Sequence, residues 1–479
     1  MSEPKNLKSK TMSGVLWSAV ERFSLQGVQF VINIIMARLL LPENYGMIGM
    51  LAIFLQISQT FIDGGFTNAL IQRKDKTEVD FSTVFYFNII VAFIFYVLIF
   101  FLAPFIADFY NMPGLTKVAR VIALGLIISS LSSVHKTKLT INIDFKTQSK
   151  ISLTAAFISG VVSIWMAYKN FGVWALVTQI LINAVLQTIL YYLFLPWFPL
   201  KIFSFKSFEN LFSFGSKLLV SSLIHTVYYN LYSIVIGKKF SATDLGYYTR
   251  AEQFAILPSS NVNSIISRVT FPILSSIQDD NERLASAYRK YIRLASFIIF
   301  PLMIGLAVLA KPLIIILLTE KWLGIVALLQ ILCLDWMLDH LSVINLNLLY
   351  VKGRSDWALR MEIIKKIIAT IILFSSIPFG IIGMCWGRVV YALIATYLNT
   401  RYTKFLIGLS FKTQIKDIFP SLMIAILMGG IIYCSTFLLS SAILQLFVGF
   451  VIGAGCYMVV SLAFKMDSLN ELLSLINNK

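Results

Sequence analysis

Apolar runs of twenty or more residues recur along the whole chain, separated by short polar breaks. The runs show no strand-like alternation of apolar and polar positions. A helix needs about 20 mostly apolar residues to cross a bilayer. On that measure the pattern predicts fourteen transmembrane helices: 13–38, 45–71, 82–108, 115–138, 150–169, 173–196, 211–237, 246–270, 289–318, 323–350, 358–377, 381–404, 415–438 and 442–464. The first and seventh carry polar stripes, and the eighth is expected to break at Pro258, where Ser259 to Ser264 is polar. Predicted connections such as Leu41–Asn44, Ser241–Asp244 and Ser440–Ser441 are only a few residues long, and the longest runs from Thr270 to Tyr288. No loop has the length to fold as a soluble domain, so any chemistry lies between helices. The first apolar run is too long for a signal-peptide core and has no small-residue cleavage site, so it is expected to stay attached.

Composition sharpens this picture. Of 479 residues, 58% are hydrophobic and 13% charged, against roughly a quarter charged in soluble domains. A soluble enzyme, a nucleic-acid-binding module and a disulfide scaffold are thereby excluded. The net charge of +17 is not spread evenly. Lys5, Lys8 and Lys10, then Arg73, Lys74 and Lys76, then Lys136, Lys138, Lys146 and Lys150 fall on alternate connections, and the series continues to Lys412 and Lys416. Such clustering marks the cytoplasmic side, and an even number of spans places both termini there. The charge therefore reads as a topology signal and an attraction to anionic lipid heads, with no nucleic acid as partner. Cys333, Cys385, Cys434 and Cys456 are scattered in apolar runs without metal-ligand spacing and read as small hydrophobes at helix contacts. No metal site is expected.

The chain repeats itself. The stretch Arg38–Gly46, with Pro42, Asn44 and Gly46, matches Lys238–Gly246, with Ala242, Asp244 and Gly246, at an offset of 200. Ala103-Pro104 and Lys311-Pro312, and Phe171-Gly172 and Phe379-Gly380, follow at an offset of 208. The expected fold is an all-α integral membrane protein with two pseudo-symmetric six-helix lobes, 1–200 and 201–405, around a central cavity. Two additional transmembrane helices occupy 406–465. A cytoplasmic amphipathic tail, 466–479, carries Leu469, Leu472, Leu473 and Ile476 at helical spacing. Parallel repeats of this kind are common in transporters, whose substrate sites lie between the repeats.

Polar residues at membrane depth are costly and mark pathways or pairs. Arg22, Gln26, Gln29 and Asn33 share one face of the first helix. Gln56, Gln59, Asp63 and Thr67 do so on the second, and Lys217, Ser221, His225, Tyr228 and Tyr232 on the seventh. Arg250, Gln253, Asn261, Ser264 and Arg268 fall on the eighth. Arg268 and Lys217 sit near a cytoplasmic end and read as snorkelling anchors, and His225 as an interhelical donor. The others are expected to line a water-filled cavity. Asp335 and Asp339 are one turn apart, beside His340. They either carry a coupling proton or Na⁺, or pair with Arg388 as structural glue. Gly64-Gly65, Gly429-Gly430 and Gly449-Phe450-Val451-Ile452-Gly453 are expected to serve close packing. A cavity with prominent arginines does not suit a cationic-drug antiporter. The short loops do not suit a glycan polymerase or ligase. A pure scaffold leaves the matched polar stripes unexplained.

Several motifs carry a resemblance. These are Phe61-Ile62-Asp63-Gly64-Gly65-Phe66 with Ala69-Leu70-Ile71-Gln72-Arg73-Lys74-Asp75, Phe171-Gly172-Val173-Trp174-Ala175-Leu176-Val177, Leu245-Gly246-Tyr247-Tyr248-Thr249-Arg250-Ala251, Arg268-Val269-Thr270-Phe271-Pro272 and Glu320-Lys321-Trp322. In order and over residues 10–405, they resemble the WzxC-type polysaccharide exporters of the multidrug/oligosaccharidyl-lipid/polysaccharide superfamily. The resemblance implies a flippase, not an enzyme, in the bacterial cytoplasmic membrane. Its cargo would be an undecaprenyl-diphosphate-linked oligosaccharide for O-antigen, capsule or exopolysaccharide. A glycan polymerase and glycosyltransferases would be its protein partners and membrane lipid its surroundings. On such a substrate, Arg22 and Arg250 would pair with the diphosphate. Gln26, Gln29, Asn33, Gln59 and Asn261 would hydrogen-bond sugar hydroxyls, and Trp17, Tyr228, Tyr229 and Tyr232 would stack on sugars. Relatives often show Asn-Leu-Asp where this chain reads Asn230-Leu231-Tyr232. A coupling role for that acid would then be missing here or would fall to Asp63 or to Asp335 and Asp339.

Overall fold

The computed structural model describes residues 23–469 and residue 471; among these, every regular element is helical. In chain order the helices are α1 (Phe23–Leu39), α2 (Pro42–Asp63), α3 (Phe66–Gln72), α4 (Glu78–Phe109), α5 (Leu115–Ile122), α6 (Leu124–Ser130), α7 (Ser133–Ile141), α8 (Phe145–Tyr168) and α9 (Val173–Phe194). There follow α10 (Phe205–Lys239), α11 (Ala242–Ser276), α12 (Asn281–Val308), α13 (Ala310–Leu318), α14 (Ile325–Met337), α15 (Asp339–Val351), α16 (Ser355–Ser376), α17 (Gly380–Ile407), α18 (Phe411–Phe437) and α19 (Ala442–Ala463). Among the described residues, ten helical stretches are long and apolar enough to cross a membrane, or eleven if the bent pair Leu115–Ser130 and Ser133–Ile141 is one crossing. The protein is thus a multi-pass, all-α membrane protein.

Local sequence sets the boundaries. Thr77 and Asp80 form a reciprocal capping box at the start of α4, satisfying backbone donors that the first turn leaves over. Side-chain caps from Asp144, Ser204, Asp280 and Ser410 start α8, α10, α12 and α18. Gly64 at φ +49° and Gly65 at φ +72° end α2 and begin α3 in the left-handed region, where only glycine sits without strain.

Three expectations change. The predicted helix 115–138 is three pieces, with the 41° bend at Leu131–Ser132. The predicted break at Pro258 is absent, because α11 runs unbroken through both Pro258 and Pro272. A proline removes one backbone donor, and a long helix can absorb that loss. The loop expected from Thr270 to Tyr288 shrinks to residues 277–280, since α11 extends to Ser276 and α12 starts at Asn281.

The chain divides into two compact units, Met1–Gly246 and Tyr247–Lys479. In the first, the segment 195–204 is strapped to the start of α4. Trp197 Nε1 donates to Glu78 (2.6 Å), and the amides of Leu200 and Ser204 donate to Ser82 and Thr83. Lys138 pairs with Glu78 at 2.7 Å and lies over the Trp197 ring. In the second, α18 and α19 pack against α12 and α13. A Cβ at Gly429 would meet Ile304, and one at Gly449 would meet Leu309, so the small residues serve close packing as expected; Gly430 faces open space instead. Phe437, Phe447 and Phe450 are largely exposed on these helices, an arrangement that suits lipid rather than water. Cys333 and Cys385 are buried, whereas Cys434 is exposed and does not fill a helix contact. In the tail, Leu469 is buried, and Glu471 bonds Arg293 at 2.8 Å. Leu472, Leu473 and Ile476 lie outside the described residues.

Candidate functional site

Two sets of intramembrane polar groups stand out, one in each unit. In the first unit α2 and α10 run antiparallel, and polar side chains meet along the contact. Asn230 Nδ2 donates to Gln56 Oε1 (2.8 Å) and to the carbonyl of Thr226, and Thr60 and Thr226 share a hydrogen bond at 3.3 Å. Gln59 donates to Asp63 at 3.2 Å on the exposed side of α2. His225 is exposed, its ring parallel to Tyr229 with centroids 6.2 Å apart. On α1, Gln29 is exposed while Gln26 and Asn33 are half-buried, and Tyr228 and Tyr232 are half-buried on α10. Arg22, together with Trp17, lies outside the described residues.

The second unit holds a tighter arrangement. Arg388 of α17 places Nε 2.8 Å and a terminal nitrogen 2.6 Å from Asp335 Oδ2 of α14. Its other terminal nitrogen is 2.5 Å from Glu252 of α11 and donates to the Tyr248 hydroxyl. The guanidinium also lies over the rings of Trp336 and Tyr248, at 5.7 and 6.0 Å. With Arg388 at 14% exposure, Asp335 at 12% and Glu252 at 19%, these charges persist in the interior only because they satisfy one another. Asp335 is thereby paired with Arg388.

Asp339 is placed differently. Its partner is Asn263 of α11, whose Nδ2 donates to Oδ2 at 2.7 Å, and Asn263 also donates to Ser259. Asn263 is the repeat mate of Asp63 at the offset of 200, so each repeat carries a polar group at this level. His340 is wholly buried, its nitrogens near Ser296 Oγ (2.8 Å) and the Met337 carbonyl (3.0 Å). It is a satisfied core histidine. Arg250 bonds Gln253 one turn on, and Asn261 is half-buried on the same helix. Among the described residues no group of three metal-ligating side chains converges.

Sequence reasoning missed Glu252, which follows directly on the Leu245–Ala251 motif and whose partner, Arg388, is 136 residues away in sequence. Asn230 was noted only as part of a departure from the family pattern, and its bond to Gln56 depends on how two distant helices face each other.

The chain is similar over its whole length to the teichuronic acid biosynthesis protein TuaB of Bacillus subtilis, with 26% identity covering 98% of each chain. It is 26% identical to the lipopolysaccharide biosynthesis protein WzxC of Escherichia coli, over 82% of this chain and 81% of that one. It is 23% identical to the succinoglycan biosynthesis transport protein ExoT of Rhizobium meliloti, over 99% and 97%. In fold it is similar to a structure of the lipid II flippase MurJ in an inward closed conformation. That match has a TM-score of 0.77 at 14% identity and covers 95% of this chain and 100% of that one. A family model described as polysaccharide biosynthesis protein matches residues 35–327, more than half of the sequence, and the chain belongs to that family.

Proposed function

We propose that this protein is a flippase that moves undecaprenyl-diphosphate-linked oligosaccharide from the cytoplasmic to the periplasmic leaflet. The observation that carries the reading is the presence of polar and charged groups at membrane depth in both units of an apolar helix bundle. Its full-length relatives are named for surface-polysaccharide biosynthesis and transport. A diphosphate-linked glycan cannot enter hydrocarbon unaided, so its carrier must offer cations and hydrogen-bonding groups where the lipid offers none.

In this reading the chain crosses the membrane fourteen times with both termini in the cytoplasm, as the lysine and arginine distribution supports. The two repeats, 1–200 and 201–405, alternate access to a central cavity; helices within 406–465 and the tail 466–479 are additions. The repeat boundary concerns sequence equivalence and the boundary at Gly246 concerns packing, so the two need not coincide. Arg22 and Arg250 meet the diphosphate. Gln26, Gln29, Asn33, Gln59 and Asn261 bond hydroxyls, and Tyr228 and Tyr232 stack on sugar rings. A proton or Na⁺ drives the cycle through Asp339, with Asp63 as a second acid, while the Asp335–Arg388 pair holds α14 and α17 in place. Glycan polymerase and glycosyltransferases are the fitting protein partners.

The test is translocation in proteoliposomes. Labelled undecaprenyl-diphosphate oligosaccharide is reconstituted with the purified protein, and leaflet exposure is followed with a membrane-impermeant glycan-oxidising reagent. Protein-dependent flipping, faster under a proton or Na⁺ gradient, is the expected result. Asp339→Asn retains the folded protein but loses the stimulation by the gradient. Folded protein that leaves the glycan in place under either gradient, yet moves small cationic dyes, sinks the reading in favour of a multidrug antiporter.

A further inference from the structure

From the contacts of α2 with α10 and with the start of α11 we infer that two backbone-on-backbone glycine crossings act as a pair of gates, one at each end of α2. Four glycines are set apart from all others among the described residues. A Cβ on any of Gly46, Gly246, Gly65 or Gly215 would come within 3.0 Å of the main chain of another segment. Elsewhere, the glycines that approach another segment that closely meet side chains, which can turn aside.

The contacts are reciprocal. A Cβ at Gly65 would strike the carbonyl of Gly215 and lie 2.8 Å from its Cα, and a Cβ at Gly215 would lie 2.8 Å from the Gly64 carbonyl oxygen. At the opposite end, a Cβ at Gly46 would strike the carbonyl of Ala242 and one at Gly246 the carbonyl of Pro42. Gly46 and Gly246 are repeat mates at the offset of 200, so equivalent helix starts cross on one another. Between the two crossings the helices are joined by the Asn230–Gln56 and Thr226–Thr60 hydrogen bonds, each of the order of 0.6 kcal/mol within a membrane. The flanking positions Asp63, Ser221, Ser222 and His225 are exposed. The seam is therefore polar and weakly bonded in its middle, and at each end the closest approach is main chain on main chain, with Phe66 packed on Phe208 and Phe212 beside the Gly65–Gly215 crossing. A main-chain contact of this kind seals the end when shut, and a single added methyl group would prop it apart. With the lysine-rich connections in the cytoplasm, Gly65–Gly215 closes the cytoplasmic end and Gly46–Gly246 the outer end.

The inference rests on the flippase reading for its purpose, but the test reads accessibility and not transport, so the two can fail separately. In protein with Cys333, Cys385, Cys434 and Cys456 replaced by serine or alanine, Thr60→Cys reports the middle of the seam. Gly65 requires its positive φ, so the cytoplasmic end is probed at Gly215. Gly215→Ala props that end apart and speeds labelling by an impermeant maleimide from the cytoplasmic face, by roughly tenfold for an overpacking cost of this kind. Gly46→Ala and Gly246→Ala speed labelling from the outer face by a similar factor, two independent routes to one result. Gly430→Ala, where nothing lies within 4 Å, leaves both rates unchanged. Equal rates in all variants, or a rise on the same face for Gly215→Ala and Gly46→Ala, would overturn the inference. A second measurement needs no glycine change. Oxidising the Thr60→Cys/Thr226→Cys protein stops glycan flipping and reduction restores it, whereas a bridged protein that flips at the unbridged rate defeats the gates.

Discussion

Arg388→Met destabilises the folded protein by about 3–5 kcal/mol, the cost of leaving buried carboxylates without their counter-charge. The substitution keeps the length and most of the apolar contact of the arginine stem. It removes the guanidinium that holds Asp335 at 2.6 Å and Glu252 at 2.5 Å, along with the bond to the Tyr248 hydroxyl. Arg388 on α17 is bonded to side chains of both α11 and α14, so its loss is felt in all three helices. The measurement is the temperature at which half the detergent-purified protein loses its monodisperse state. The control removes the acids together with the base. Arg388→Met combined with Asp335→Leu and Glu252→Gln recovers most of the loss, because replacing a whole buried ion cluster by neutral groups is often close to neutral. If the single variant keeps wild-type stability, the cluster is not the structural tie that its geometry describes. If the triple variant is as unstable as the single one, packing rather than charge is what Arg388 supplies.

The pairing of Arg388 with Asp335 shows where sequence reading stops. Both residues stand out as ionisable groups in apolar runs, because charge at membrane depth is conspicuous in one dimension. Whether Asp335 or its neighbour one turn on faces the arginine depends on the rotation of α14 about its axis and the hitch at Leu338, which no spacing rule supplies. Glu252 stayed hidden for the same reason: its partners come from helices more than eighty residues away. The repeat, in contrast, is a matter of spacing alone, since equivalent positions such as Gly46 and Gly246 keep their offset whatever the fold does. That those two glycines lie on one another is not, because an offset carries no distance. The break expected at Pro258 failed through reading a proline as a stop. A long helix keeps its course through one missing donor when its neighbours hold it, here with Ser259 donating to the Trp336 carbonyl at 3.0 Å. The tract from Ser259 to Ser264 is likewise polar without being a loop: Ser259 and Asn263 turn inward and take part in the bonds around Asp339.

Removing the arginines assigned to the diphosphate is expected to abolish transport while leaving the fold in place. Arg22→Ala and Arg250→Ala each lower the rate of glycan flipping by roughly a hundredfold or more, in line with the 2–5 kcal/mol lost when one partner of a desolvated charge pair is truncated. The physical ground is that a diphosphate leaving water needs compensating positive charge at each stage, and a planar guanidinium meets two phosphate oxygens at once. Arg250→Lys therefore keeps the charge yet recovers only part of the rate. Gln253, the partner of Arg250 one turn along α11, orients the guanidinium, so Gln253→Ala produces a smaller loss than Arg250→Ala. Both single variants are expected to retain the wild-type unfolding temperature, which separates a transport defect from a folding one. The assay compares lipid-linked oligosaccharide carried on a diphosphate with the same glycan on an uncharged lipid anchor. Loss confined to the diphosphate-linked substrate places the arginines on the phosphates. Equal loss with both anchors assigns them instead to the sugar or to the conformational cycle, and normal export by the Arg22→Ala/Arg250→Ala double variant removes them from the site altogether.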